Sequence, residues 1–301
     1  KTQMDRNALL SQLKKVLAMR EDEKNEVNYT LKVVELAMNL LYNNLEESIN
    51  DNDHIHIWNA LKWSIDRAKK SSNNEKIATT NVNSSLCASL CMLLNVLSYV
   101  DGEYNLPLDN APHPFPHTSI SLHATSKNAS EEVKSIFVSY ISLRIGDILR
   151  YKKDLGGATQ CYRFSLKVRP SNGEAWNQIG ILCSYLGSPL DALYSYYRAI
   201  YIHEPSSIAS NNILTILDSQ LDKDDDISEM EDDHIILYTL ARIHYMKPIS
   251  ESIESLIISL LDSPRRIIPF ICQYLSLDNI STTSSILKNT LFNIMEKSFH
   301  Y

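Results

Sequence analysis

Residues 143–200 read "LRIGDILRYKKDLGGATQCYRFSLKVRPSNGEAWNQIGILCSYLGSPLDALYSYYRAI", and a single offset runs through them. Ile145-Gly146 recurs as Ile179-Gly180, Tyr151 as Tyr185, Ala158 as Ala192 and Tyr162 as Tyr196, each pair 34 residues apart. A self-similar period of this length marks stacked supersecondary units, each burying its apolar face against the next. Small residues recurring in one register let the two helices of a unit approach, and the aromatics fill the gap to the following unit.

The period is that of the tetratricopeptide helical hairpin, 34 residues. The second copy also supplies Trp176 and Ala199, with Pro205 one place late; the first supplies Pro170 and has Ser142 where tryptophan is usual. The first helix of each tetratricopeptide pair lines a groove. In this register the groove positions are Tyr140, Leu143, Asp147, Arg150 and Tyr151, then Glu174, Asn177, Ile181, Ser184 and Tyr185.

The rest of the chain agrees with an all-α protein. It has 301 residues, 44% of them hydrophobic, and only 7 glycines, so long stretches run without a breaker. Leu9, Leu10, Leu13, Val16 and Leu17, and then Leu31, Val34, Leu36, Leu40 and Leu41, recur largely at three-and-four spacing and predict two antiparallel helices. A third helix is expected over about 54–70 and a fourth over about 76–100. Four prolines between residues 101 and 128 predict a long loop. A fifth helix follows, with Asn128 and Glu131 in capping-box register, and two more begin at Ser171 with Glu174 and at Ser188-Pro189. The acidic run "DKDDDISEMEDD", 222–233, precedes further helical stretches, one opening at Ser263-Pro264.

Charge and chemistry narrow the function. A net charge of −7 argues against a surface devoted to nucleic acid, since that affinity is largely phosphate neutralisation. The most apolar window, Leu86 to Val100, is shorter than the roughly 20 residues that cross a bilayer, and neither a signal peptide nor a membrane partner is expected. The five cysteines lie among apolar neighbours and suggest a reducing compartment. Asp222, Asp224 and Asp226 have calcium-loop spacing, but Ile227 replaces the turn glycine and no glutamate closes the loop. His54 and His56, and His113 and His117, read as surface histidines. No nucleophile elbow, Walker loop or metalloprotease helix is present, so neither catalysis nor a cofactor is expected.

What remains is local positive charge. Arg150 offers a planar fork of donors, Tyr151 a hydroxyl and Asn177 an amide, a set suited to a tetrahedral oxyanion. Their bland alternative is an ion pair of Arg150 with Asp147 or Asp154. Lys62 and Lys69 lie seven residues apart and so nearly on one helix face, with Asp66 between them.

"GDILRY" at 146–151, the Pro-Ser-Asn-Gly turn at 170–173 and Asn177-Gln178 resemble the 14-3-3-like, tetratricopeptide-containing domain of the SMG and Est family of nonsense-mediated mRNA decay. The resemblance is specific over about residues 143–200; Trp58 aligns the third helix. It implies a 14-3-3-like tetratricopeptide helical array over 1–221 and a C-terminal α-helical extension over 222–301. It also implies a phosphoserine or phosphothreonine peptide held by Lys62, Arg150 and Tyr151, with Lys69 and Asn177 as further ligands. The implied partners are the phosphorylated RNA helicase of the decay pathway, a paralogous SMG protein in a heterodimer, and mRNA decay and deadenylation factors. The implied location is the cytoplasm, with nuclear shuttling. An alternative from the same family is a telomerase-associated Est-type protein that binds telomeric single-stranded nucleic acid or telomerase RNA.

Overall fold

The computed structural model describes residues 5–19, 21–26, 28–115, 127–220 and 231–245, with isolated positions up to 272. The described elements are all helices, and among the described residues there is no strand. The chain forms two compact units, 1–170 and 171–301, and the boundary in sequence falls between the two repeats.

The first unit holds α1 (Arg6–Leu17), α2 (Glu21–Glu26), α3 (Tyr29–Asn43), α4 (Leu45–Asn50), α5 (Ile55–Lys69), α6 (Glu75–Tyr104), α7 (Glu131–Tyr151) and α8 (Leu155–Val168). On α1 the apolar stripe Leu9, Leu13 and Val16 is buried against Val33, Leu36 and Leu40 of α3, the helix pair that the sequence spacing predicts. Helix α6 runs further than expected, to Tyr104, and stops at Asn105, whose φ of 50° is left-handed. Helix α6 is long and apolar enough to cross a membrane by length and composition. Its Leu86, Leu93, Val96, Leu97 and Val100 are buried as it packs against α3, α5 and α7.

The excursion from α6 to α7 is pinned at both ends to the short stretch around α4. The Tyr104 hydroxyl donates to the Tyr42 carbonyl and accepts from the Leu45 amide, each at 3.1 Å. At the other end Lys127 donates to the same Tyr42 carbonyl, and Ser130 donates from both its amide and its hydroxyl to the Glu46 carboxylate, at 2.9 and 3.0 Å. Leu106, Leu108 and Phe115 are buried, so the first part of the expected loop belongs to the core.

Helices α7 and α8 form the first repeat, and α9 (Gly173–Tyr185) and α10 (Pro189–Ile200) form the second within the other unit, followed by α11 (Ala209–Asp218) and α12 (Asp232–His244). A Cβ on Gly146 would lie 2.5 Å from the Tyr162 ring, and one on Gly180 would lie 2.4 Å from the Tyr196 ring. Each hairpin therefore closes by seating a tyrosine directly on a glycine. The turns match as well: Lys153 with φ 65° in the first corresponds, 34 residues on, to Gly187 with φ 75°.

Several local expectations shift. The cap of α7 is Ser130, whose hydroxyl accepts from the Val133 amide, rather than Asn128. The cap of α9 is Asn172 rather than Ser171, whose hydroxyl instead donates to Glu204 at 3.0 Å. The reason is packing: Gly173 sits so close to the backbone at Ala199, Glu204 and Ser206 that a Cβ would fall 2.5–2.8 Å from each, which fixes the helix entry there. Of the cysteines only Cys161 is buried; Cys87 and Cys91 lie on the exposed side of α6. His54 is not a surface histidine: it is buried edge-on against Tyr140, with ring centroids 4.6 Å apart. The calcium-spaced aspartates, His117 and Ser263-Pro264 lie outside the described residues.

Candidate functional site

Helices α5 and α7 run side by side, with His54 against Tyr140, the Arg144 guanidinium 5.2 Å from the Trp58 ring centroid, and Lys69 near Tyr151. At the C-terminal ends of these helices the half-exposed Tyr151 ring has two cations near it. The Arg150 guanidinium lies 4.7 Å from its centroid and the Lys69 ammonium 5.7 Å. Three of the five residues singled out in the sequence thus meet around one ring. Lys62 is exposed two turns earlier on the same face of α5, and among the described residues it has no carboxylate partner.

Arg150 is held from beneath. Its Nε donates to the Tyr162 hydroxyl at 3.3 Å, and that hydroxyl donates in turn to Asp147 Oδ1 at 2.9 Å. Asp147 is buried and also receives Arg144, at 2.9 Å, while the Arg150 Nη2 lies 3.6 Å from it. Burial disfavours the Arg150 charge, but Tyr162 and Asp147 outweigh it and raise the guanidinium pKa. Burial, reinforced by Asp147, pushes the Tyr162 hydroxyl well above its usual range. Tyr162 therefore stays neutral and serves one residue as acceptor and the other as donor. Asp154, the other carboxylate within reach in sequence, instead caps α8 through the Gly157 amide at 2.9 Å.

The neighbouring lysines part from this set. Lys152 is exposed and approaches the Cys87 sulfur at 3.1 Å, and Lys153 makes the turn. Lys69 pairs with Asp66 at 2.8 Å. Asn177 belongs to the second unit and is fully buried in α9, its side-chain carbonyl accepting from Asn212 of α11 at 2.8 Å. Asn212, Tyr162 and Arg144 were not singled out as site residues. Only Tyr162 had a sequence signal, its place in the repeat. Cavities of about 360 and 390 Å3 border Trp63 and share only Asp66 with this cluster. Among the described residues no group of three acidic, histidine or cysteine side chains could hold a metal.

The model of the Est1 DNA/RNA binding domain family matches residues 158–298. Nonsense-mediated mRNA decay factor SMG7 of Danio rerio is 27% identical over 203 residues, which cover 64% of this chain and 17% of that protein. In sequence the chain is similar to SMG/Est proteins. Two further SMG/Est relatives are similar over shorter stretches. Telomerase-binding protein EST1A of Danio rerio is 28% identical over 88 residues, 27% of this chain and 6% of that protein. The SMG7-like nonsense-mediated mRNA decay factor of Arabidopsis thaliana is 27% identical over 105 residues, 32% of this chain and 12% of that protein. The chain therefore spans less than a fifth of the length of these curated relatives. Its fold is like that in the structure of the C. elegans SMG5-SMG7 complex, with a TM-score of 0.79 at 21% identity, covering 96% of this chain and 72% of that one. The all-α, 14-3-3-like architecture expected of an SMG/Est chain is thus the one observed.

Proposed function

We propose that this chain is the phosphopeptide-reading part of a non-enzymatic adaptor in nonsense-mediated mRNA decay. The observation that carries the reading is the meeting of Lys69 and Arg150 around Tyr151, with Lys62 on the same face of α5 as Lys69. A phosphoserine or phosphothreonine brings about −1.5 to −2 charges and three acceptor oxygens, which match an ammonium, a guanidinium and a phenol presented together. In the other unit, Asn177 is fully buried and its side-chain carbonyl is engaged by Asn212, so it is not counted among these ligands. The partners in this reading are the phosphorylated RNA helicase of the pathway, a paralogous SMG protein with which the chain heterodimerises, and the mRNA decay and deadenylation machinery. The location is cytoplasmic, with nuclear shuttling. The names of the two decay-factor relatives and the complex that shares the fold support it.

The test is a fluorescence titration of one peptide in phosphorylated and unphosphorylated form. The phosphorylated form binds more tightly, and Arg150→Glu abolishes the difference while circular dichroism stays unchanged. Equal affinities for the two forms would sink the reading.

A second reading is nucleic-acid binding by an Est-type, telomerase-associated protein, with telomeric single strands or telomerase RNA as the ligand. It is favoured by the description of the matching family model and by Arg198, stacked 4.3 Å from the Trp176 centroid and donating to the Tyr194 hydroxyl at 3.0 Å. Arginine-aromatic clusters of this kind serve as stacking platforms for bases. The net charge of −7 counts against it. Binding that falls steeply with salt would support it.

A further inference from the structure

Three of the four cations around this site already have a carboxylate of the protein beside them. Lys69 lies 2.8 Å from Asp66, Arg144 lies 2.9 Å from Asp147, and Arg150 lies 3.6 Å from the same Asp147. Lys62 alone has none among the described residues. The two acids differ in freedom. Asp147 is buried and held by Tyr162 and Arg144, so it stays in place when a ligand arrives. Asp66 is half-exposed and one helical turn from Lys69, an arrangement that releases its partner at little cost.

From this pairing we infer that Asp66 and Asp147 are specificity-determining residues which make the site reject singly charged acidic side chains and accept a phosphate ester. The inference rests on the phosphopeptide reading above. A glutamate or aspartate from a peptide offers one negative charge, the same as the carboxylate it would have to displace at Lys69 or compete with at Arg150, and that carboxylate is already tethered beside its cation. The exchange therefore gains almost nothing. A phosphate dianion brings a second charge and a third oxygen, so it can engage Lys62 and share Lys69 and Arg150 with their own acids. Discrimination here comes from a built-in competitor rather than from an added contact to phosphate.

The test uses the 301-residue chain and three versions of one peptide carrying serine, phosphoserine or glutamate at the same position. With the unsubstituted chain, the glutamate peptide binds no better than the serine peptide, and the phosphoserine peptide binds at least about tenfold more tightly. In Asp66→Asn the glutamate peptide gains more than the phosphoserine peptide, narrowing the ratio by about two- to fivefold, the range of an exposed ion pair. Asp147→Asn acts in the same sense where circular dichroism reports an intact fold, and Asp66→Asn decides the matter if it does not. A glutamate peptide that binds the unsubstituted chain as tightly as the phosphoserine peptide would overturn the inference, as would a ratio unmoved by Asp66→Asn. Failure of the phosphoserine peptide to bind better than the serine peptide would instead overturn the phosphopeptide reading, and this inference with it.

Discussion

The Tyr162 hydroxyl sits between the Asp147 carboxylate at 2.9 Å and the Arg150 Nε at 3.3 Å, joining the two helices of the first repeat beneath the cationic face. In the second repeat the equivalent hydroxyl, on Tyr196, meets Ser184 at 3.4 Å and no charged group among the described residues. One scaffold position thus carries a charge-holding network in one repeat and a plain hydroxyl contact in the other.

Removing that hydroxyl tests the network. Tyr162→Phe keeps the ring on Gly146 but leaves buried Asp147 short of a donor, a loss of about 1–3 kcal/mol in denaturant unfolding. The same variant frees Arg150 to swing and weakens phosphopeptide binding. Tyr196→Phe, with only a hydroxyl contact to lose, costs roughly 1 kcal/mol or less.

The glycines under the tyrosines test the repeat itself. Gly146→Ala and Gly180→Ala each place a methyl group 2.4–2.5 Å from an aromatic ring in a closed hairpin. Each is expected to destabilise by about 1–3 kcal/mol, measured by thermal or denaturant unfolding.

His54 makes stability depend on pH. Burial pushes its pKa down from 6.5 to about 4. Above about pH 6.5 the ring is neutral folded and unfolded alike, and it contributes no pH dependence. As pH falls from there towards 4, the unfolded chain takes up a proton that the folded chain refuses, so stability drops, by about 2 kcal/mol between pH 7 and pH 5. Unfolding curves across that range should show the loss, and His54→Phe should flatten it.

Lys153 holds a left-handed turn that Gly187 holds in the second repeat. A side chain with a Cβ costs roughly 1–2 kcal/mol there, partly offset by the greater freedom of glycine in the unfolded chain. Lys153→Gly is expected to raise stability by about 0.5–1 kcal/mol, read as an increase in Tm, whereas Gly187→Lys lowers it.

What could be read in advance follows from distance along the chain. The repeat offset alone carries the seating of Tyr162 on Gly146 and of Tyr196 on Gly180, because both partners lie within one hairpin. Helical geometry alone puts Lys62 and Lys69 on one face. The burial of His54 was not legible, since its cover, Tyr140, comes from a helix 86 residues away. The choice between Asp147 and Asp154 as partner of Arg150 was open for another reason. Asp154 is equally near in sequence, and it is removed only because its carboxylate is spent on the first turn of α8. Asn177 stands at a groove position by register, yet it is wholly buried. Likewise the start of α9 follows from the tight fit of Gly173 against residues some 30 positions later, which no local capping signal encodes.

Tyr42, Leu45 and Glu46 together receive the chain where it leaves α6 and again where it enters α7. The two anchor points are thus set by one stretch of the molecule that is distant in sequence from both. Substitutions between the anchors that spare the buried Leu106, Leu108 and Phe115 therefore leave the first turn of α7, and the arginine at its far end, in place.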